Sequence, residues 1–306
     1  MSDLATHVQD YLSLRRAFGF KLVFPGQVLP QFVAYLEAAG VSTVTAELAV
    51  AWAGLPAGVQ PISLAHHPGA VRGFARYLAT IDPATEVPPS GIWPSVSRRP
   101  TPYLWSDTEI RTLLVAARTL QPSLRAATYE TLFGLLAATG MRVGEALGLR
   151  VDDVEFTNGV ITVRDAKFGR SRLIPLHPST TTALAAYAAH RDRVCPNPSS
   201  ASLFVSGTGG PLTYVSVRKT FIELTTTTGL RTATVQPRIH DLRHSFAVRT
   251  LIGWHRCGTD IEGRMPVLSD YLGHVNPAGT YWYLSAAPEL MELAAARLER
   301  QFGARL

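Results

Sequence analysis

Val154-Glu155-Phe156-Thr157-Asn158-Gly159-Val160-Ile161-Thr162-Val163 decides the fold. Val154 to Phe156 and Val160 to Val163 flank Asn158-Gly159, the dipeptide best suited to the positive-φ positions of a tight hairpin turn. A third apolar run, Leu173-Ile174, follows the loop that carries Lys167, Gly169 and Arg170, so a small antiparallel sheet of three strands is expected. On either side of it, segments with helical spacing follow. Upstream, Ser106-Asp107-Thr108-Glu109 is a capping box opening a helix with Ile110, Leu113 and Leu114, and Leu124 to Ala138 is apolar on most sides, as a central helix is. Downstream, helices are expected over roughly 179–190, 214–227, 241–253 and 289–302. The fold class is therefore mostly α with a small three-stranded antiparallel β-sheet.

Between Asp82 and Pro102 stand Pro83, Pro88, Pro89, Pro94, Pro100 and Pro102, a composition that excludes regular helix and disfavours a central strand. Residues 82–102 thus read as a linker between a helical domain, 1–81, and a larger domain, 103–306. In the first domain Val8, Tyr11, Leu12 and Leu14, then Phe32, Tyr35 and Leu36, follow helical periodicity; Glu47 to Ala53 is a short apolar stretch, and Pro68 is placed to start a last helix.

The chain has 306 residues, 46% of them apolar, enough for ordinary cores without covalent staples. Cys195 and Cys257 are far apart and match no paired-ligand pattern, so neither a disulfide framework nor a zinc ribbon is suggested and a reducing cytoplasm fits. No run approaches the roughly eighteen apolar residues a membrane span needs. The net charge of +6 is compatible with a polyanionic partner, and most of the excess falls on residues 101–306. Basic residues are nearly all arginine; only Lys21, Lys167 and Lys219 are lysines, which makes each one informative.

Chemistry concentrates in a few separated segments. Arg142, in Thr139-Gly140-Met141-Arg142-Val143-Gly144-Glu145, opens a helical segment with Glu145 three residues on along the same face. Its guanidinium could grip two phosphate oxygens, or the pair could be a plain surface ion pair. His240 and Arg243, in His240-Asp241-Leu242-Arg243-His244, also stand three apart and aim an imidazole and a guanidinium in one direction. The His240–His244 spacing could hold zinc, but the metalloprotease version needs a glutamate directly after the first histidine, where Asp241 stands. His274 follows Gly273, whose missing side chain permits close approach; it suits a hydrogen bond to a phosphate oxygen or a satisfied core position equally. Thr280-Tyr281-Trp282-Tyr283-Leu284 offers two tyrosines, and residues alone do not choose between nucleophile and core.

Together, Arg142 in Thr-Gly-Met-Arg-x-x-Glu, His240-x-x-Arg243, Leu272-Gly273-His274 and Tyr283 resemble the signature of the tyrosine recombinase (phage integrase) family, over about residues 101–290. Four elements in the right order carry the resemblance, and the family's histidine-to-tyrosine interval of nine selects Tyr283 over Tyr281. The N-terminal part resembles the family's helical core-binding domain more loosely. The resemblance implies a two-domain clamp on double-stranded DNA and site-specific strand cleavage and rejoining through a 3′-phosphotyrosyl intermediate. It implies Tyr283 as nucleophile, Arg142, Arg243 and His274 as holders of the phosphate charge, His240 as base, and Lys167 as general acid at the departing 5′-oxygen. A guanidinium holds its protons too firmly for that last role. Glu145 would orient neighbouring cations, and Arg98, Arg99 and Arg170 would meet phosphates, although Arg98-Arg99 could equally be a solvated pair. No cofactor and no metal are expected. The expected partners are DNA and further copies, four protomers on paired sites, with other recombinase subunits also compatible; the expected location is the cytoplasm, on the nucleoid. The interval 254–266 looks longer than in compact relatives and similar to that of transposon-associated integrases. A catalytically silent accessory DNA-binding protein and a type IB topoisomerase remain as alternatives.

Overall fold

The computed structural model describes residues 3–54, 61–91, 101–164, 171–274, 276, 278–285, 289–292 and 295. The chain divides into two compact units, Met1–Pro100 and Thr101–Leu306. The first is built from α1 (Asp3–Ala17), α2 (Val23–Ala38), α3 (Ala46–Gly54) and α4 (Pro61–Leu78). Leu4, Val8 and Leu12, then Val28, Leu29, Phe32 and Leu36, then Val71, Phe74 and Leu78 recur every three or four residues and close one core. The expectation that the last helix starts at Pro68 is corrected: α4 begins at Pro61 and carries Pro68 inside it. A proline there forfeits one backbone hydrogen bond, and the burial of Val71, Phe74 and Leu78 beyond it outweighs that loss. After α4 the chain stays tied to the connection between α2 and α3. Thr43 Oγ1 donates to Asp82 Oδ2 at 2.8 Å, and Glu86 N donates to Val44 O at 2.8 Å. Residues 92–100, with Arg98 and Arg99, lie outside the described residues.

In the second unit α5 (Asp107–Arg118) opens with the expected capping box: Ser106 Oγ accepts from Glu109 N at 3.2 Å, and Glu109 Oε2 from Ser106 N at 2.8 Å. Next, α6 (Ser123–Thr139) buries Leu132, Phe133, Leu135 and Leu136 on several faces, as a central helix must. It stops at Gly140, whose φ of 61° is left-handed and where a Cβ would lie 2.4 Å from the Phe246 ring. The short α7 (Val143–Leu147) leads to β1 (Val154–Glu155), β2 (Val160–Val163) and β3 (Arg172–Pro175). These strands pair antiparallel in the order β1-β2-β3, with Val154 opposite Ile161, Ile161 opposite Ile174, and Val163 opposite Arg172. Val154, Ile161, Val163 and Ile174 turn inward, so the alternation of the hairpin sequence is the alternation of its two faces.

The remaining helices are α8 (Pro178–Val194), α9 (Tyr214–Thr227), α10 (Ile239–Arg256), α11 (Ile261–Leu272) and the single turn α12 (Ala278–Tyr281), followed by a 3₁₀ turn, Trp282–Ser285. The interval 254–266 is not an open extension: Trp254–Arg256 finishes α10, and from Ile261 the chain is helical. Ile261, Met265, Leu268 and Leu272 bury one stripe of α11 beside Ala247, Val248 and Leu251 of α10. Of the terminal helix expected over 289–302, Glu289–Glu292 is helical with Leu290 buried, and the segment beyond is described only at 295. Among the described residues, no helix is long and apolar enough to cross a membrane.

Candidate active site

Four chain segments meet at the C-terminal end of α11. Arg243, on the second turn of α10, is fully buried; its Nη1 donates to Gly140 O at 2.9 Å and its Nη2 to Leu272 O at 2.7 Å. The left-handed turn at Gly140 therefore ends α6 and also presents a carbonyl to a guanidinium from α10. Arg142, the residue before α7, sends Nη2 to the next carbonyl along, Gly273 O, at 2.8 Å. The last carbonyls of a helix carry partial negative charge, so the end of α11 is a natural place to gather cations.

Gly273 is required twice over. Its φ is 67°, and a Cβ there would lie 2.9 Å from Arg172 Nη1 and 3.3 Å from Arg142 Nη1. Two guanidinium groups occupy the space a side chain would fill, which is the physical content of the Leu272-Gly273-His274 motif.

Glu145 is the hub of the cationic side. It accepts from Arg142 Nη1 at 2.8 Å, from the Arg142 backbone N–H at 2.9 Å, and from Arg172 Nη1 and Nη2 at 3.0 and 2.8 Å. Burial alone would raise its pKa, but the hydrogen bonds and charge of Arg172 and Arg142 outweigh burial and hold it at about 2. The pKa of Arg243 is also pushed down, to about 10, first by burial and then by the nearby Arg142 charge. It remains protonated at neutral pH, and the Tyr283 phenol is near enough to its guanidinium to favour the charged form.

The histidines differ from one another. Arg243 Nη2 also lies 2.9 Å from His274 Nε2, while His274 Nδ1 is 2.6 Å from Thr280 Oγ1. Since a guanidinium can only donate, Nε2 accepts there and the Nδ1–H faces Thr280, which assigns a neutral ring. His240 stands at an exposed position with its inner side against the protein. The removal of water from that side, with the charges of Arg243, Arg142 and Arg238, brings its pKa down to about 4 against a smaller opposing pull from Asp241. His240 is thus neutral at pH 7. His244 packs edge-on to His240 with ring centroids 4.6 Å apart, and its own ring is 5.5 Å from that of Tyr283. Asp241, in the position where a zinc protease would have glutamate, accepts from the Arg238 backbone N–H at 2.7 Å and closes the start of α10.

Tyr283 lies in the 3₁₀ turn with its ring 6.1 Å from that of His274 and nearly parallel to it, and it is 2% exposed. Tyr281, two residues earlier, is 46% exposed. The sequence-derived set Arg142, Glu145, His240, Arg243, His274 and Tyr283 is thus gathered in one place, whereas Lys167, Arg170, Arg98 and Arg99 lie outside the described residues. Arg172 and Thr280 were not among the candidates. Thr280 stands six residues after His274 with no sequence signal of its own, and Arg172 opens a strand whose sequence signal is the apolar pair Leu173-Ile174. His244 figured only as half of a zinc spacing.

Comparison with known proteins gives a consistent result. Residues 105–289 match the model of the phage integrase family. Over 310 residues the chain is 45% identical to an integrase/recombinase-type protein, y4rB, of Sinorhizobium fredii, covering 99% of both. It is 33% identical over 236 residues to the tyrosine recombinase XerD of Mycobacterium tuberculosis, covering 74% of this chain and 70% of that one. In fold it is similar to the Tn1549 transposon integrase in complex with transposon right end DNA, with a TM-score of 0.68 at 18% identity over 96% of this chain and 98% of that one. It is also similar to the XerH recombinase in a post-cleavage DNA complex, with a TM-score of 0.59 at 21% identity over 83% and 71% of the two chains.

Proposed function

This chain belongs to the phage integrase family, and from that premise we propose that it cuts and rejoins duplex DNA at specific sites, with the Tyr283 phenol oxygen as nucleophile. In-line attack on a phosphodiester gives a 3′-phosphotyrosyl link and a free 5′-hydroxyl; attack by another 5′-hydroxyl reverses it. One phosphodiester replaces another, so no ATP is consumed. The single observation that carries the reading is the convergence of Arg142, Arg243, His274 and the Tyr283 phenol on the end of α11.

The phosphorane that forms in such a transfer carries extra negative charge. Arg142 and Arg243, oriented beforehand by Gly273 O, Leu272 O and Gly140 O, supply fixed cationic donors for it in the place a metal ion fills in many nucleases. His274 donates to a phosphate oxygen from Nε2 once that atom carries a proton, either by taking one up or by shifting to the Nε2–H tautomer with the Thr280 hydroxyl donating to Nδ1 in turn. His240, neutral in the free protein, is the proton acceptor in this scheme; a bound phosphate offsets the surrounding arginines and makes it more basic. His244 orients the rings on either side of it. Lys167 is assigned the proton for the leaving 5′-oxygen on family resemblance, and Arg98, Arg99 and Arg170 the sequence-independent contacts to the DNA backbone. Exchange between two duplexes breaks four strands, one phenol each, which favours four copies on two sites as the working unit. The transposon integrase among the similar folds favours service to a mobile element.

The test uses duplexes carrying candidate sites, nicked so that the covalent complex is trapped. The native protein is expected to give a denaturation-resistant adduct whose peptide contains residue 283. Tyr283→Phe should bind the same DNA and give no adduct, while Tyr281→Phe should give the native amount. Adduct from Tyr283→Phe removes the assignment.

A further inference from the structure

Arg172 belongs to none of the roles above, yet its guanidinium is bound into the site through Nε and both Nη atoms. It leads β3 opposite Val163, so the connection that carries Lys167 leaves the sheet at Val163 and returns at Arg172. Its Nε donates to Tyr271 O at 2.8 Å, in the last turn of α11, and its two Nη atoms form a fork on Glu145 at 3.0 and 2.8 Å. Its side chain is 13% exposed, so it does not itself present a surface to DNA, whereas that of Arg142 is 33% exposed.

A carboxylate beside a phosphate-binding arginine poses a difficulty. Glu145 aims Arg142 by accepting from its backbone and its guanidinium, but an uncompensated Glu145 would also hold that guanidinium back and repel the incoming phosphate. Arg172 resolves it. Two guanidinium groups share one carboxylate, so the trio keeps one net positive charge, and the more exposed member is the one that faces outward. Only a planar fork fits both carboxylate oxygens and Tyr271 O together.

We infer that Arg172 is a positioning residue that balances Glu145, so that Arg142 is oriented without being neutralised. This rests on the strand-transfer reading for its consequence in catalysis, and on Arg142 contacting phosphate for its consequence in binding. Three variants, Arg172→Gln, Glu145→Gln and their double, are compared in adduct formation on nicked duplex. DNA affinity is then measured against salt in a Tyr283→Phe background, which cannot cleave.

Arg172→Gln is expected to slow adduct formation by about 10–100-fold, the size seen when the outer partner of a tightly held group is lost. It should also lower the salt slope by about one phosphate contact as Glu145 captures Arg142. Adding Glu145→Gln to Arg172→Gln should recover about tenfold and restore the slope, because the carboxylate left unbalanced is gone. A purely structural staple predicts the reverse, with the double variant as slow as Arg172→Gln or slower, and that result overturns the inference. If Arg172→Gln melts below the assay temperature, Arg172→Lys, which keeps the charge and loses the fork, should stay within about tenfold of the native rate. A larger loss at an unchanged melting temperature also overturns it. If the native protein forms no adduct, the strand-transfer reading fails and the salt slope alone decides Arg172: an unchanged slope in Arg172→Gln refutes its role.

Discussion

Arg243 is 2% exposed and spends its guanidinium on Gly140 O, Leu272 O and His274 Nε2, whereas Arg142 keeps a third of its side chain in solvent and divides itself between Glu145 and Gly273 O. The first ties together the end of α6, the start of α10 and the end of α11; the second leans on that frame. Two arginines of one site therefore do different work. Arg243 holds the segments together as well as adding charge, while Arg142 presents the more exposed charge, so the electrostatic site is only as precise as the buried arginine makes it.

The strongest way to break this contrast is to truncate each arginine. Arg243→Ala should lose adduct formation by a factor of at least 10²–10³, the usual cost of removing one fixed charge-stabilising donor. It should also lose about 2–4 kcal/mol of stability, since two buried carbonyls lose their donor and a void remains. Arg142→Ala should match the catalytic loss, with a stability cost of about 1 kcal/mol or less, as for a half-exposed ion pair. Denaturant titration of the two variants decides it; equal stability losses erase the distinction.

Gly273→Ala sharpens the comparison because it crowds both sides at once. The left-handed φ alone costs about 1 kcal/mol, and the new Cβ must displace the Arg172 and Arg142 guanidiniums. Adduct formation should fall about tenfold or more while DNA affinity changes little. A native rate in Gly273→Ala would mean that the close approach of the cations is not needed.

The smallest effect is on proton binding. His240 has a folded pKa of about 4 against an ordinary 6.5, so the folded chain binds its proton less readily than the unfolded chain and loses stability as pH falls from 6.5 towards 4. Glu145, at about 2 against 4.5, acts in the same direction at lower pH: its contribution is present above 4.5 and disappears towards 2. Arg243 depresses His240 more than Arg142 does. Titration of the His240 ring proton by NMR should therefore show a larger upward shift in Arg243→Ala than in Arg142→Ala, and the opposite order would reverse the assigned roles.

Much of this was readable from residues because the determinants are local. Asn158-Gly159 fixes a hairpin within ten residues, Ser106 and Glu109 satisfy each other's backbone, and the spacing of Arg142, His240, Arg243, His274 and Tyr283 survives as motif. Helix α11 is hidden in the sequence: Ile261, Met265, Leu268 and Leu272 repeat at helical intervals, but Gly263 and Pro266 look like breakers. Pro266 lies on the exposed face, and the buried stripe outweighs its missing hydrogen bond. Arg172 leaves no local signature because its partners lie 27 residues before it, at Glu145, and 99 residues after it, at Tyr271. No local pattern encodes a contact made only when β3 and α11 arrive beside α7.

The turn from Trp282 to Ser285 has a consequence of its own. It points one phenol into the protein and leaves another, two residues away, open to reagents. On the strand-transfer reading proposed above, a phenol that is 2% exposed in the free chain has to gain access before it can meet phosphorus. Nitration of the resting chain would accordingly mark residue 281 and spare 283, and any condition that evens out the two labels has unlatched the blade.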